Sequence, residues 1–157
     1  MIDEKLLAPV RTEVTVPLSP AQAFDLFTDG LDRWWLRGYK IGAAPMRRAV
    51  LEPRSGGRWY EIDEDGAECD WGRVVDWDPP HRLLLHWQIT PEWTYDPDLV
   101  TEVDVTFTAV DEASTTVVVE HRNMDRYGAA AEEMRLTFSG PNGWSGLLRQ
   151  YAQAAAA

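Results

Sequence analysis

The sequence has 157 residues, and its 45% hydrophobic and 26% charged side chains are typical of a folded globular protein and exclude extensive disorder. Asp and Glu outnumber Lys and Arg by 26 to 15, and the resulting net charge of −11 argues against nucleic acid as a partner. The one cysteine, Cys69, excludes an intrachain disulfide, and residues 1–9 form no apolar leader. We therefore predict a cytoplasmic protein that does not insert into a membrane.

The chain opens with a predicted strand and a predicted helix. Residues 10–16 alternate apolar and polar side chains, which is the pattern of a half-buried strand. Ser19 and Gln22 stand in the positions of a capping box, and Gly30 marks the expected end of the helix that they start. A second short helix is expected over residues 32–36.

Six further strands are predicted in the middle of the sequence, separated by turns. The Asp65-Gly66 pair is typical of a β-hairpin turn, and Pro79-Pro80 cannot continue a sheet ladder. Several of these strands alternate apolar with polar residues, as an antiparallel sheet with one covered face requires. The predicted strands span residues 49–52, 58–62, 67–77, 82–89, 102–109 and 117–121.

The sequence ends in two predicted helices around a Gly-Pro-Asn-Gly break at residues 140–143. Apolar residues recur at helical spacing from Tyr127 to Phe138 and again from Trp144 to Ala155. This order predicts an α+β fold, in which a curved antiparallel sheet of six to seven strands wraps around the long C-terminal helix and two short helices follow the first strand. We expect one domain over residues 1–157, with its core over about 10–153 and a cavity between sheet and helix.

Eight tryptophans in 157 residues are the unusual feature of the composition. Alternation places Trp87 on the apolar face of its strand, which the odd-numbered residues from 83 to 89 form. In the preceding strand it groups Trp71 with Val75 and Trp77, whereas the orientation of Trp59 is ambiguous. Rings that fill a core and rings that line a cavity both explain this abundance.

Two titratable residues are candidate catalytic groups. His121 ends a strand on the face of Val117 and Val119, so its imidazole is expected to point inward, either as a base or as a core residue held by a carbonyl or an indole N–H. Glu61 shares the parity of Trp59; it lies either in an apolar pocket, which favours its neutral form, or exposed beside the hairpin turn, and we expect the second. No cofactor motif and no metal-ligand spacing is present, so neither a cofactor nor a metal site is predicted.

One further pattern runs along nearly the whole chain. Its parts are Ser19-Pro20 with Ala23-Phe24 and Phe27-Thr28, Trp34-Trp35, Gly56-Gly57-Arg58-Trp59-Tyr60, Gly72 with Val74, Asp78-Pro79-Pro80 with Arg82-Leu83 and Trp87, Glu120-His121, and Gly143-Trp144. In this order and spacing they resemble the START-like helix-grip superfamily (SRPBCC). More narrowly, they resemble the branch named for homologues of the activator of the heat-shock-protein-90 ATPase, over about residues 10–153.

The resemblance implies a seven-stranded sheet, with about six strands in its core, around the C-terminal helix and a hydrophobic cavity between them. Members of the superfamily bind lipids, polyketides or hormones, and some act as cyclases or aromatases without a shared set of catalytic residues. The resemblance carries over seven pocket positions, and the inward faces of strands and helix add three. These ten positions are Phe24, Phe27, Trp35, Trp87, Phe107, His121 and Trp144 from the resemblance, and Trp59, Trp71 and Met134 from the faces.

Three functions agree with these observations. The leading hypothesis is binding of a small, largely hydrophobic or aromatic molecule in the internal pocket. The second is a cyclase, dehydratase or hydrolase that uses His121 with Glu61 or a tyrosine, which requires His121 within reach of ligand-accessible space. The third is a chaperone partner or stress-response accessory protein that exposes Trp93 and Tyr95. The chaperone-activating members carry an additional N-terminal domain that this sequence is expected to lack, and a homodimer is left open.

Overall fold

The computed structural model describes residues 8–157, so most of the N-terminal stretch for which the sequence predicts no leader lies outside the described residues. Within them, no helix is long and apolar enough to cross a membrane. The elements, in chain order, are β1 (Val10–Val16), α1 (Pro20–Thr28), α2 (Leu31–Trp34), β2 (Met46–Leu51), β3 (Arg58–Asp63), β4 (Glu68–Asp78), β5 (Arg82–Trp87), β6 (Thr101–Asp111), β7 (Ser114–Arg122), a 3-10 helix (Met124–Ala130), α3 (Ala131–Ser139) and α4 (Trp144–Ala156).

The seven strands form one antiparallel sheet in the order β1-β7-β6-β5-β4-β3-β2. The C-terminal helix α4 packs against β1 and against α1, α2 and α3. Its buried face contains Trp144, Leu147, Leu148 and Tyr151, and the Tyr151 hydroxyl donates a 2.7 Å hydrogen bond to the carbonyl of Ala23 in α1. The predicted α+β helix-grip fold, with a sheet curled around the C-terminal helix, is therefore confirmed.

The N-terminus of α1 has the predicted capping box. The Ser19 hydroxyl accepts a hydrogen bond from the backbone N–H of Gln22, and the Gln22 side chain accepts one from the backbone N–H of Ser19. The helix ends at Thr28, two residues before Gly30, which instead precedes the first residue of α2. α1 buries Phe24 and Phe27 under the sheet, and this packing fixes one end of the core.

Strand β4 contains two bulges that the sequence did not predict. Trp71 is the extra residue in the pairing with β3, and Val75 is the extra residue in the pairing with β5. Each bulge shifts the alternation of side chains by one residue. As a result Trp71 and Val74 are buried, Trp77 packs against Phe24 at 5.0 Å between ring centroids, and Val75 is half-buried. The predicted grouping of Val75 with Trp71 and Trp77 is therefore wrong.

The predicted continuous helix from Tyr127 to Phe138 is also wrong. The chain instead forms the 3-10 helix and α3, and Gly128 within the 3-10 helix departs from helical geometry, with φ 59° and ψ −125°. A positive φ costs glycine little, so this residue allows a sharp change of direction that a helical periodicity does not reveal. The change of direction precedes α3, whose C-terminal end borders the candidate site.

Candidate functional site

A cavity of about 370 Å³ lies between the sheet and the N-terminal part of α4. This volume falls within the range of about 300–1,000 Å³ that is usual for small-molecule sites. Its walls come from the segment after α2, from β4 and β5, from the turn after β5, and from the junction of α3 and α4. The aromatic side chains that line it are Trp35, Trp71, Trp87, Trp93, Phe138 and Trp144.

The aromatic walls form a connected set of rings. Trp35 packs against Trp71 with 4.9 Å between ring centroids and 31° between planes, and edge-on against Trp144 at 6.0 Å. Trp87 packs edge-on against Phe138 at 5.8 Å. Arrangements of this kind stabilise aromatic clusters beyond the burial of their area, so the walls of the cavity are held in place by one another.

Hydrogen bonds fix three of these indole rings. The Nε1–H of Trp35 donates to the carbonyl of Tyr39 at 2.9 Å, that of Trp71 to Oε1 of Glu61 at 2.9 Å, and that of Trp144 to Nδ1 of His121 at 3.1 Å. A buried indole N–H needs such an acceptor. Each of these rings therefore has one orientation, and the cavity is formed before any ligand enters.

Of the ten predicted pocket residues, the structure brings four together around this cavity and places six elsewhere. Trp35, Trp71, Trp87 and Trp144 line it, and their contact with a ligand stays a prediction. The remaining six are buried in the core and do not belong to the cavity wall: Phe24, Phe27, Phe107, Trp59, Met134 and His121. Phe107 of β6 packs against both Phe24 and Phe27 of α1.

His121 is fully buried and both of its ring nitrogens are engaged inside the protein. Because an indole N–H only donates, Nδ1 accepts from Trp144, and the imidazole proton is on Nε2, which faces Oγ1 of Thr101 at 2.8 Å. The Thr101 hydroxyl in turn donates to the carbonyl of Trp87 at 2.9 Å. Burial lowers the pKa of His121 to about 3. The inward orientation agrees with the sequence, but the imidazole is occupied as a core residue and does not meet the condition for catalysis.

Glu61 is fully buried, so the expectation that it is exposed is wrong. Its carboxylate accepts hydrogen bonds from the backbone N–H groups of Ile41 at 2.6 Å and Gly42 at 3.2 Å, besides the one from Trp71. Trp59 and Glu61 both face inward from β3, which alternates regularly between half-buried and buried residues. With three N–H donors around it, the carboxylate fixes the segment after α2 and is not presented to the cavity.

Several cavity residues lie outside the ten predicted positions. Tyr39, Lys40 and Ile41 line the cavity from an irregular segment, where periodicity offers no signal. Trp93 was predicted as an exposed loop residue; it is 44% exposed and also lines the cavity. Phe138 shows the apolar periodicity of its helix, but the sequence does not distinguish this position from its packed neighbours.

Cys69 has no features of an activated nucleophile. The thiol is half-buried, and burial raises its pKa, with further contributions from the nearby carboxylates of Glu61, Asp63 and Asp70. A raised pKa keeps the thiol protonated and therefore weakly nucleophilic.

The family model for activator of Hsp90 ATPase homolog 1-like proteins matches residues 17–156, which is nearly the whole described chain. The chain belongs to this family. Membership agrees with the predicted resemblance, and the helix-grip fold of the family is typical of proteins that bind hydrophobic ligands. A comparison with curated proteins found no match.

Two solved structures share 34% sequence identity with this family member. The anthrahydroquino-gamma-pyrone synthase Txn09 aligns over 93% of this chain and 96% of its own, with a TM-score of 0.66. The self-sacrificing resistance protein CalC from Micromonospora echinospora aligns over 96% of this chain and 95% of its own, with a TM-score of 0.70. Protein Ms6760 from Mycobacterium smegmatis, at 18% identity, 97% and 92% coverage and a TM-score of 0.65, shares the fold.

Proposed function

We propose that the protein binds a planar, largely apolar aromatic molecule in the cavity between the sheet and α4. The observation that carries this proposal is the wall of five tryptophan rings, three of them fixed by hydrogen bonds to the protein. Flat ligands gain most from such walls, because stacked and edge-on ring contacts add to the burial of apolar area. The similarity to Txn09, an anthrahydroquino-gamma-pyrone synthase, supports a polycyclic aromatic ligand.

A titration of intrinsic tryptophan fluorescence, repeated by calorimetry, tests the proposal. We expect 2-hydroxymethylanthraquinone, a neutral three-ring compound, to bind with one molecule per chain and more tightly than palmitate or cholesterol. No binding of the anthraquinone, or binding no tighter than that of palmitate or cholesterol, would contradict the proposal.

A cavity-filling variant tests whether the ligand binds in this cavity. Gly38 lines the cavity, and a Cβ added there meets no atom within 4 Å, so Gly38→Phe adds a ring at the cavity wall without a clash at the backbone. We expect its affinity for the anthraquinone to fall at least about tenfold, which corresponds to about 1.4 kcal/mol. Ala43→Phe adds the same ring at an exposed position outside the cavity and is the matched control. Equal affinity of both variants would contradict binding in this cavity.

A second candidate is a ring-closing enzyme that acts on such a molecule, and the 34% identity to the synthase Txn09 favours it. His121 and Glu61 are committed to internal hydrogen bonds, so the polar groups offered to a substrate are those of the wall, such as Tyr39, Lys40 and Asn142. Mass spectrometry of a bound polyketide before and after incubation separates the two candidates. Recovery of the unchanged compound supports binding, whereas loss of one water supports a cyclisation.

The chaperone-partner function stays a prediction. It was expected to expose Trp93 and Tyr95; Trp93 is 44% exposed, but Tyr95 is half-buried. The family name alone does not identify a surface for a partner protein, and the cavity is the more specific basis for a function.

A further inference from the structure

We infer that the aromatic ligand carries an acidic oxygen group, such as a carboxylate, and that this group pairs with the ammonium of Lys40. The inference rests on the proposed function and names the ligand class more narrowly. Its basis is the position of Lys40 at an otherwise uncharged, largely apolar cavity. Among the described residues that line this cavity, Lys40 is the one with a charged side chain.

The ammonium of Lys40 has unused hydrogen-bonding capacity. Its Nζ donates a 2.6 Å hydrogen bond to the carbonyl of Gly42, and an ammonium has three N–H donors. Every ion pair within residues 8–157 involves an arginine, so Lys40 contacts no carboxylate there. In a protein with a net charge of −11, a half-buried lysine without a carboxylate partner is available for an anion from outside.

The carboxylates near Lys40 accept hydrogen bonds from other donors. Glu61 accepts from two backbone N–H groups and from the Trp71 indole. Oδ1 of Asp63 accepts from the backbone N–H groups of Asp65 and Ala67, both at 2.9 Å. Glu61 is thus paired with N–H groups of the segment after α2 and of Trp71, and Asp63 with those of the hairpin turn, and neither forms a hydrogen bond with Lys40.

The backbone on both sides of Lys40 is anchored. The carbonyl of Tyr39 accepts from the Trp35 indole, and the N–H groups of Ile41 and Gly42 donate to Glu61. The ammonium is therefore attached to a fixed piece of chain, and less conformational entropy is lost when an anion binds it. Because the surrounding walls are apolar, the attraction is stronger than for a pair in open water.

An isosteric pair of compounds tests the inference. Anthraquinone-2-carboxylate and anthraquinone-2-carboxamide have the same shape and differ in charge. We expect calorimetry at pH 7.5 to show that the wild-type protein binds the carboxylate about tenfold more tightly, a preference expected for a partly buried ion pair. Lys40→Met keeps a long apolar side chain without the charge and should reduce this ratio to about one, whereas Lys40→Arg should retain a preference for the carboxylate.

Arg47→Met is the matched control, because it removes one positive charge from an exposed position outside the cavity. This variant should keep the wild-type preference. Equal binding of the two compounds by the wild-type protein, or a preference that persists in Lys40→Met, would overturn the role of Lys40 while leaving an aromatic-binding cavity. If neither compound binds the wild-type protein, the proposed function itself fails.

Discussion

The imidazole of His121 is neutral because its surroundings offer one donor, one acceptor and no charge. The Trp144 indole N–H occupies Nδ1 and the Thr101 hydroxyl faces Nε2. Through Trp144 it orients a ring of the cavity wall, and through Thr101 it reaches the carbonyl of Trp87, another wall residue. His121 is thus a positioning residue whose buried hydrogen bonds connect two tryptophans of the candidate site.

This burial gives the protein a specific pH dependence. The unfolded chain takes up a proton at His121 below the ordinary pKa of 6.5, whereas burial lowers the pKa in the folded protein to about 3. Stability is therefore lost as the pH falls from about 6.5 toward 3, by up to about 1.4 kcal/mol per pH unit. His121→Asn keeps an acceptor near the position of Nδ1 but does not titrate, so its free energy of unfolding should fall less steeply in this range.

Urea unfolding at several pH values between 7 and 4.5 measures this difference in slope. His81→Asn makes the same change at an exposed position and is the matched control. Parallel curves for the wild-type protein and His121→Asn would show that the proton uptake of the unfolded state occurs elsewhere.

At the scale of elements, the segment between α2 and β2 is held by side chains because it has no regular hydrogen-bond ladder. Glu61 reaches it from β3 and binds the N–H groups of Ile41 and Gly42. The position of Gly42 is restricted, because a Cβ there would lie 3.1 Å from Oε2 of Glu61. The wall of the cavity at Tyr39, Lys40 and Ile41 therefore depends on one buried carboxylate.

Replacement of this carboxylate by an amide should weaken both the fold and the site. A carboxylate only accepts hydrogen bonds, and its three donors in the structure match it. In Glu61→Gln the amide NH₂ meets an N–H donor, so we expect a loss of about 1–3 kcal/mol in the free energy of unfolding. We also expect weaker binding of 2-hydroxymethylanthraquinone, because the wall segment loses an anchor.

Urea unfolding and fluorescence titration measure the two effects. Glu64→Gln, the same change at an exposed residue of the adjoining turn, is the matched control and should behave as the wild-type protein does. Wild-type stability and affinity in Glu61→Gln would show that this segment keeps its place without Glu61.

The elements that the sequence predicts well are those with an unbroken pattern. In β5 and the residue pair that follows, Leu83, Leu85, Trp87 and Ile89 are all buried as alternation requires. The pattern fails in β4. The extra residue at Trp71 reverses the face of the sheet to which the adjoining side chains point, and the amino-acid composition of the strand gives no sign of it. An alternation rule has no means to locate such a residue without the partner strand.

The candidate site is less predictable than the fold for a related reason. Tyr39, Lys40 and Ile41 lie in a segment without periodicity. Its position depends on hydrogen bonds to Glu61 in β3, which is distant in sequence, and on the bond from Trp35, the residue after α2. The neighbouring carboxylates Asp63 and Asp65 favour an exposed position for Glu61 in the sequence, yet three N–H donors compensate its burial. The tryptophans were predictable as inward-facing rings. A ring of the core faces another side chain and a ring of the cavity wall faces open volume, and alternation does not distinguish the two.

At the scale of the whole molecule, the cavity exists because side chains fill the space over one half of the sheet and leave it open over the other half. Beneath α1, the rings of Phe24, Phe27 and Phe107 fill the space between sheet and helices. Toward the N-terminus of α4 the tryptophans stand around open volume instead. This division leaves a packed core at one end and open volume at the other, which agrees with the hydrophobic-ligand binding typical of the fold.

Trp93 lies in the connection between β5 and β6 and adds a further ring to the cavity wall. We expect its ring to strengthen ligand binding and its backbone conformation to lower the stability of the fold. The ring lines the cavity and approaches Phe138 of α3 edge-on at 6.5 Å. Its backbone has φ 62°, a conformation that costs a residue other than glycine about 1 kcal/mol. Trp93→Ala and Trp93→Gly both delete the ring, so both should bind 2-hydroxymethylanthraquinone more weakly than the wild-type protein, to a similar extent.

The two variants should differ in stability, because only glycine relieves the backbone. We expect Trp93→Gly to be more stable than Trp93→Ala by about 1 kcal/mol in urea unfolding, while calorimetry finds the same reduced affinity for both. Leu136→Ala removes another exposed apolar side chain, 63% exposed and outside the cavity wall, and should leave affinity unchanged. Wild-type affinity in both Trp93 variants would show that the ring covers no ligand. A lower stability of Trp93→Gly than of Trp93→Ala would show that the positive φ carries no strain, so the two measurements test the ring and the backbone separately.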